Sequence, residues 1–97
     1  TGVAYDNLSL EIIGSGDMTA SGTVKQLTAV VKGSGDLMLS KLKTDYSSIM
    51  IYGSGDAEIW VNESLTAEVN GSGDIEYSGN PPNVHSEVHG SGKIIKN

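Results

Sequence analysis

The tetrapeptide Gly-Ser-Gly-Asp occurs four times in this 97-residue chain, at 14–17, 33–36, 53–56 and 71–74, and a fifth copy ending in lysine stands at 90–93. Successive copies begin 18 to 20 residues apart. Self-similarity at such a period belongs to solenoids, whose repeats are too short to bury an apolar face alone and must stack on one another. Counted back two, four and six residues from the first glycine of each motif, the chain reads Ile12, Leu10 and Leu8; Val31, Ala29 and Leu27; Ile51, Ile49 and Ser47; Val69, Ala67 and Leu65; Val88, Ser86 and Val84. The residues between them are mostly polar, which is the period-two alternation of a strand with one buried face. Alternation resumes beyond the motif with Met18 and Ala20, Leu37 and Leu39, Ala57 and Ile59, Ile75 and Tyr77, and Ile94. Each repeat reads as strand, corner, strand. Val24 and Leu42 suggest a short third side, for which the fourth coil has no obvious equivalent, and Pro81 and Pro82 bend the fifth.

This pattern predicts an all-β fold, a single-domain parallel β-helix spanning residues 1–97. It has about five coils of 18–20 residues, with like strands stacked about 4.8 Å apart and a right-handed winding. The glycines are the corners: Gly14, Gly16, Gly33, Gly35, Gly53, Gly55, Gly71, Gly73, Gly90 and Gly92. A sharp turn between strands needs positive φ or close backbone approach, and a Cβ obstructs both. The serines between them should stack as one column. Asp17, Asp36, Asp56 and Asp74 should stack as a second, accepting hydrogen bonds from corner N–H groups.

Composition narrows the function. Six lysines and no arginine against twelve acidic residues give a net charge of −6, a poor endowment for neutralising phosphates, so nucleic acid is not an expected partner. The chain has no cysteine and therefore no disulfide or thiolate metal site. No apolar run approaches the roughly 20 residues of a membrane-spanning helix, and Thr1 opens directly into domain sequence.

No catalytic residues and no cofactor site are expected. A Ser–His–Asp hydrolase would need a strained Gly-x-Ser-x-Gly elbow, and residues 90–93 do not complete a phosphate loop. His85 and His89 lie about 13 Å apart along a strand and should not share one ion. The Asp column is the one candidate metal site, because carboxylates about 4.8 Å apart repel one another and calcium would relieve that; the expectation is nonetheless that they cap the corners. Val30 and Met50 fall in outward register in one column, with Met38 and Tyr52 on the same coils and Trp60 at a strand end. These five form the candidate contact patch, for a partner or for a second copy of the chain. Glu11, Glu68 and Glu87 share the column of Val30 and Met50, which leaves a carbohydrate-binding or carbohydrate-processing β-helix as an alternative. A calcium-stabilised solenoid is another.

The GSGD repetition, "ESLTAEV" at 63–69 and "YSGNPP" at 77–82 resemble the C-terminal half of the bacterial head GIN domain, the DUF2807 or auto-transporter adhesin family. The resemblance covers essentially the whole chain. It implies a secreted or cell-envelope β-helical protein of the periplasm or outer membrane surface, often lipoprotein-like. It further implies an adhesive, non-enzymatic role toward a protein or glycan surface ligand. The family assigns no catalytic residues, and most of its usual N-terminal half would be missing here. Leu8, Leu10 and Ile12 should then need cover from preceding residues or from a second chain, whereas Lys93, Lys96 and Asn97 around Ile94 and Ile95 look like a charged stop.

Overall fold

Seven strands carry almost all of the residues that the structure, a computed structural model, describes, namely 4–96. They are β1 (Ala4–Gly14), β2 (Met18–Gly33), β3 (Leu37–Gly53), β4 (Ala57–Gly71), β5 (Asp74–Ser78), β6 (Asn83–His89) and β7 (Lys93–Lys96), with no helix among the described residues. Every pairing between them is parallel. The order is β1-β2-β3-β4-β5-β7, with β6 also pairing β4. A strand of 15 to 17 residues that pairs with its equivalents one repeat before and after is a whole coil, and the molecule is a parallel β-solenoid of about five turns in one compact domain. In the last coil this path is cut into β5 and β6, because Gly79 turns with φ +95° and Pro81 and Pro82 have no N–H to give the ladder.

Register follows the motif. Gly14, Gly33, Gly53 and Gly71 stack as Cα partners, and the three inward columns before them are Leu8–Leu27–Ser47–Leu65–Val84, Leu10–Ala29–Ile49–Ala67–Ser86 and Ile12–Val31–Ile51–Val69–Val88. The core is therefore a set of aliphatic stacks, buried through the middle coils. The third side departs from the sequence expectation. Val24, Thr44 and Val61 form a buried column there, so the fourth coil does have an inward residue on that side. Register shifts at Thr19/Ser21, Leu39/Lys43 and Thr44/Tyr46 absorb the differences in coil length. Two buried polar side chains occupy this region. Thr44 and Ser47 hydrogen-bond to each other, and Thr44 Oγ1 donates to the Trp60 carbonyl at 2.8 Å, so a hydroxyl stands in the leucine column at no net loss of bonding.

The terminal coils are less completely buried than the middle ones. At the N-terminal coil Ile12 is buried and Leu8 and Leu10 are half-buried. At the C-terminal coil the inward-register Val84 and Val88 are 44% and 39% exposed, so more core is open there than the flanking lysines suggested. Asn97 lies outside the described residues.

The two glycines of each corner have different tasks. The first takes positive φ, from +96° at Gly14 to +136° at Gly90, and its carbonyl accepts from the next coil: Gly14 O receives the N–H groups of both Ser34 and Gly35 at 3.1 Å, and Gly33 O those of Ser54 and Gly55. The second glycine has ordinary φ, so backbone strain is not its reason. A Cβ on Gly35 would instead fall on the Gly16 carbonyl oxygen and 2.6 Å from Ile12 Cγ2, whereas a Cβ on Gly16 meets nothing within 4 Å. Gly35→Val is therefore expected to destabilise the domain by about 2 kcal/mol or more, while Gly16→Ala stays within about 0.5 kcal/mol of the parent in urea unfolding. Thr44→Val should cost about 1–2 kcal/mol by stranding the Ser47 hydroxyl and the Trp60 carbonyl. Adding Ser47→Ala should recover part of that loss in a double-mutant cycle.

Candidate functional site

The GSGD edge is bonded coil to coil. The backbone N–H of Asp36 donates to Asp17 Oδ1 at 3.3 Å, Asp56 to Asp36 Oδ1 at 3.3 Å, Asp74 to Asp56 Oδ1 at 3.1 Å and Lys93 to Asp74 Oδ1 at 3.1 Å. The return bonds run from the residue after the motif, Met18 N–H to the Asp36 carbonyl and Leu37 N–H to the Asp56 carbonyl. Each carboxylate thus serves the coil that follows it rather than its own turn. The serines expose their side chains and contribute backbone N–H groups to the corner. Among the described residues, the aspartates are not among the side chains whose ligand atoms converge as a metal site would require.

The outward side of the sheet before the corner is an open face, and its middle coil carries Tyr46, Ser48, Met50 and Tyr52 at alternate positions. Tyr46 and Tyr52 are 45% and 41% exposed. Val30 is stacked on Met50, and the Tyr52 hydroxyl lies 3.7 Å from Met50 Sδ. Thr28, Ser48 and Thr66 are Cα partners across this row, and together with Gln26, Tyr46 and Ser64 they line a shallow depression of about 230 Å³. At the first coil Glu11 pairs with Lys32 at 4.0 Å.

The five residues of the sequence-derived patch do not form one surface. Val30, Met50 and Tyr52 share this face. Met38 lies beyond the GSGD corner, in register with Thr19 and Glu58, beside a wider depression that includes Ala20 and Lys41. Trp60 belongs to the third side, in register with Lys43 and Ser78, with the Lys43 ammonium 4.9 Å from its ring centre. Tyr46 went unnoticed in the sequence although it stands six residues before Tyr52 at the same parity, and that spacing was the signal for it.

At the C-terminal end of the same face Glu68 and Glu87 are Cα partners on adjacent strands. His85 and His89 flank Glu87 two residues away on either side and turn toward it, His85 Nε2 3.7 Å from Oε1 and His89 Nε2 3.7 Å from Oε2. Asn70 Nδ2 donates to Glu68 Oε2 at 3.1 Å. The two histidines approach opposite oxygens of one glutamate, an arrangement that spacing along the strand does not reveal.

A sequence profile of the family described as "Putative auto-transporter adhesin, head GIN domain" (DUF2807) matches residues 1–81. The fold is similar to the crystal structure of a putative adhesin from Bacteroides fragilis NCTC 9343, with TM-score 0.91 and 28% identity over 95% of this chain and 42% of that one. It is equally similar to that of a putative lipid binding protein from Parabacteroides distasonis ATCC 8503, with TM-score 0.92 and 33% identity over 95% of this chain and 37% of that one. The chain thus spans about two fifths of the length of these structures. Among curated proteins no relative matches the sequence. No helix among the described residues is long and apolar enough to cross a membrane.

The Asp edge can be tested directly. Asp56→Ala removes the acceptor for the Asp74 N–H and should cost about 1 kcal/mol in chemical denaturation. Asp56→Asn keeps an acceptor and relieves like-charge repulsion, so it should be neutral or slightly stabilising, with the same midpoint in calcium and in chelator.

Proposed function

Because the chain belongs to the DUF2807 head GIN domain family, we propose that it is a non-enzymatic binding module of the bacterial cell envelope. Its contact surface is the outward face of the sheet before the GSGD corner. The observation that carries this reading is the row Tyr46, Ser48, Met50 and Tyr52 on one coil. Two exposed tyrosines and a half-buried methionine are presented by a strand paired on both sides and backed by a buried aliphatic core. Tyrosine gives large contact area with little side-chain entropy to lose, and a paired strand loses almost none on binding.

Magnitudes favour adhesion over tight recognition. Four outward positions along a coil and five coils define a face of about 20 by 19 Å, or about 400 Å², half of what one partner contributes to a standard stable interface. Contact on that scale is weak for a single copy and becomes useful when many copies act at one surface. The neighbour from Parabacteroides bears the name of a lipid binding protein. Here the interior is filled by Leu27, Ile49, Leu65 and their neighbours at no more than 5% exposure, so an acyl chain has no room inside and any such ligand would meet the outer face. A carbohydrate-cleaving reading finds its adjacent carboxylates, Glu68 and Glu87, on the open face and not in a cleft that could enclose a sugar.

Biolayer interferometry of the immobilised chain against intact bacterial and host cells and against glycan and protein arrays tests the proposal. Saturable binding is expected, weakened about tenfold by the pair Tyr46→Ser and Tyr52→Ser, which removes two contacts of about 0.7 kcal/mol each while leaving the fold intact. Binding that is unchanged in the double variant would rule out this face.

A further inference from the structure

We propose that Glu68, Glu87 and His89 form a zinc-binding site on the outward face of the last two coils. The parallel ladder places Glu68 directly beside Glu87, and the two-residue repeat of β6 places His89 next to Glu87 on the same side. One ligand atom from each of the three lies within 4.8 Å of the other two. Zinc holds nitrogen and oxygen ligands at about 2.0–2.2 Å, so tetrahedral ligands stand about 3.4 Å apart. The His89 Nε2 to Glu87 Oε2 separation of 3.7 Å is close to that edge and too long for a hydrogen bond, so neither atom is committed elsewhere. The remaining adjustment is a rotation of exposed or half-exposed side chains.

The surroundings orient the ligands without neutralising them. Asn70 Nδ2 bonds one Glu68 oxygen and fixes that carboxylate as an outer partner of a metal site does, while His85 lies 3.7 Å from the other Glu87 oxygen, beyond hydrogen-bond reach. No lysine pairs with either glutamate among the described residues; the lysine–carboxylate pair of this face, Lys32 with Glu11, is at the opposite end. Two carboxylates directly opposite each other across a ladder repel, and a divalent cation converts that repulsion into attraction. An imidazole with two carboxylates suits zinc, whereas calcium and magnesium prefer all-oxygen shells. The fourth position faces solvent.

The test is calorimetric titration of the 97-residue chain with zinc chloride at neutral pH. One zinc per chain is expected, with no displacement by calcium. His89→Ala and Glu68→Gln, which each remove a ligand, should weaken binding by about tenfold or more, and His85→Ala, which removes neither a ligand nor a hydrogen bond to one, should leave it within about threefold. All three positions are solvent-facing, and unchanged melting temperatures would confirm that the variants fold. Absence of saturable binding by the parent chain, or parental affinity in His89→Ala, would overturn the site. A loss in His85→Ala as large as in His89→Ala would move the metal to the histidine pair and overturn this ligand set.

Discussion

Backbone lying directly on backbone at the GSGD corner is the contact from which the rest of this solenoid is set. The first glycine of each motif turns the chain at positive φ, and the carbonyls of Gly14, Gly33 and Gly53 each take two N–H groups from the next coil. The second glycine allows the next corner to sit where any Cβ would collide with a carbonyl oxygen. With the corner fixed in this way the strands before it run in unbroken register from Asn7–Gln26 to Gly14–Gly33 and from Gln26–Tyr46 to Gly33–Gly53, and every inward residue meets its equivalent. The freedom that remains is on the third side, where irregularities in register take up one to three residues without disturbing the columns.

The aspartates explain how a corner with so few side chains is held together. Stacked carboxylates oppose one another, but each accepts the N–H of the following coil, and a charge-assisted bond of about 3 Å outweighs a screened repulsion between exposed groups. The lysine that closes the fifth motif fits the same scheme. Lys93 donates its backbone N–H to Asp74 as the aspartates before it do, and only the accepting half of the unit is missing.

Features that recur locally were legible in the sequence, and features set by side-chain reach or by irregular loops were not. The period, the alternation and the placement of Ile12, Val31, Ile51 and Val69 in one inward column follow from counting, because strand parity and a fixed corner determine them. Val61 was hidden because the third side has no fixed distance from the motif, and Thr44 because its burial depends on a tertiary partner at Ser47 and a carbonyl at residue 60. Adjacency of Met38 to the Val30 column looked plausible from coil number alone, yet the corner puts it on another face. The histidines show the converse limit: their Cα spacing was readable, whereas the convergence of both rings on Glu87 is a matter of rotamers.

Core and corner leave the outward columns free to vary in chemistry. Replacing Met50 or Glu68 changes no inward contact and no corner bond, since alternate residues of a strand point to opposite sides of the sheet. The face accordingly varies along the stack: an ion pair at Glu11 and Lys32, an apolar and tyrosine-bearing middle at Val30, Met50 and Tyr52, then carboxylate and imidazole at Glu68, Glu87 and His89. Rows about 4.8 Å apart can thus differ in chemistry while sharing one rigid backing. A ligand spanning several coils would meet charged, apolar and carboxylate–imidazole segments in a fixed order, so its orientation along the stack would be selected by that order and not by any single residue.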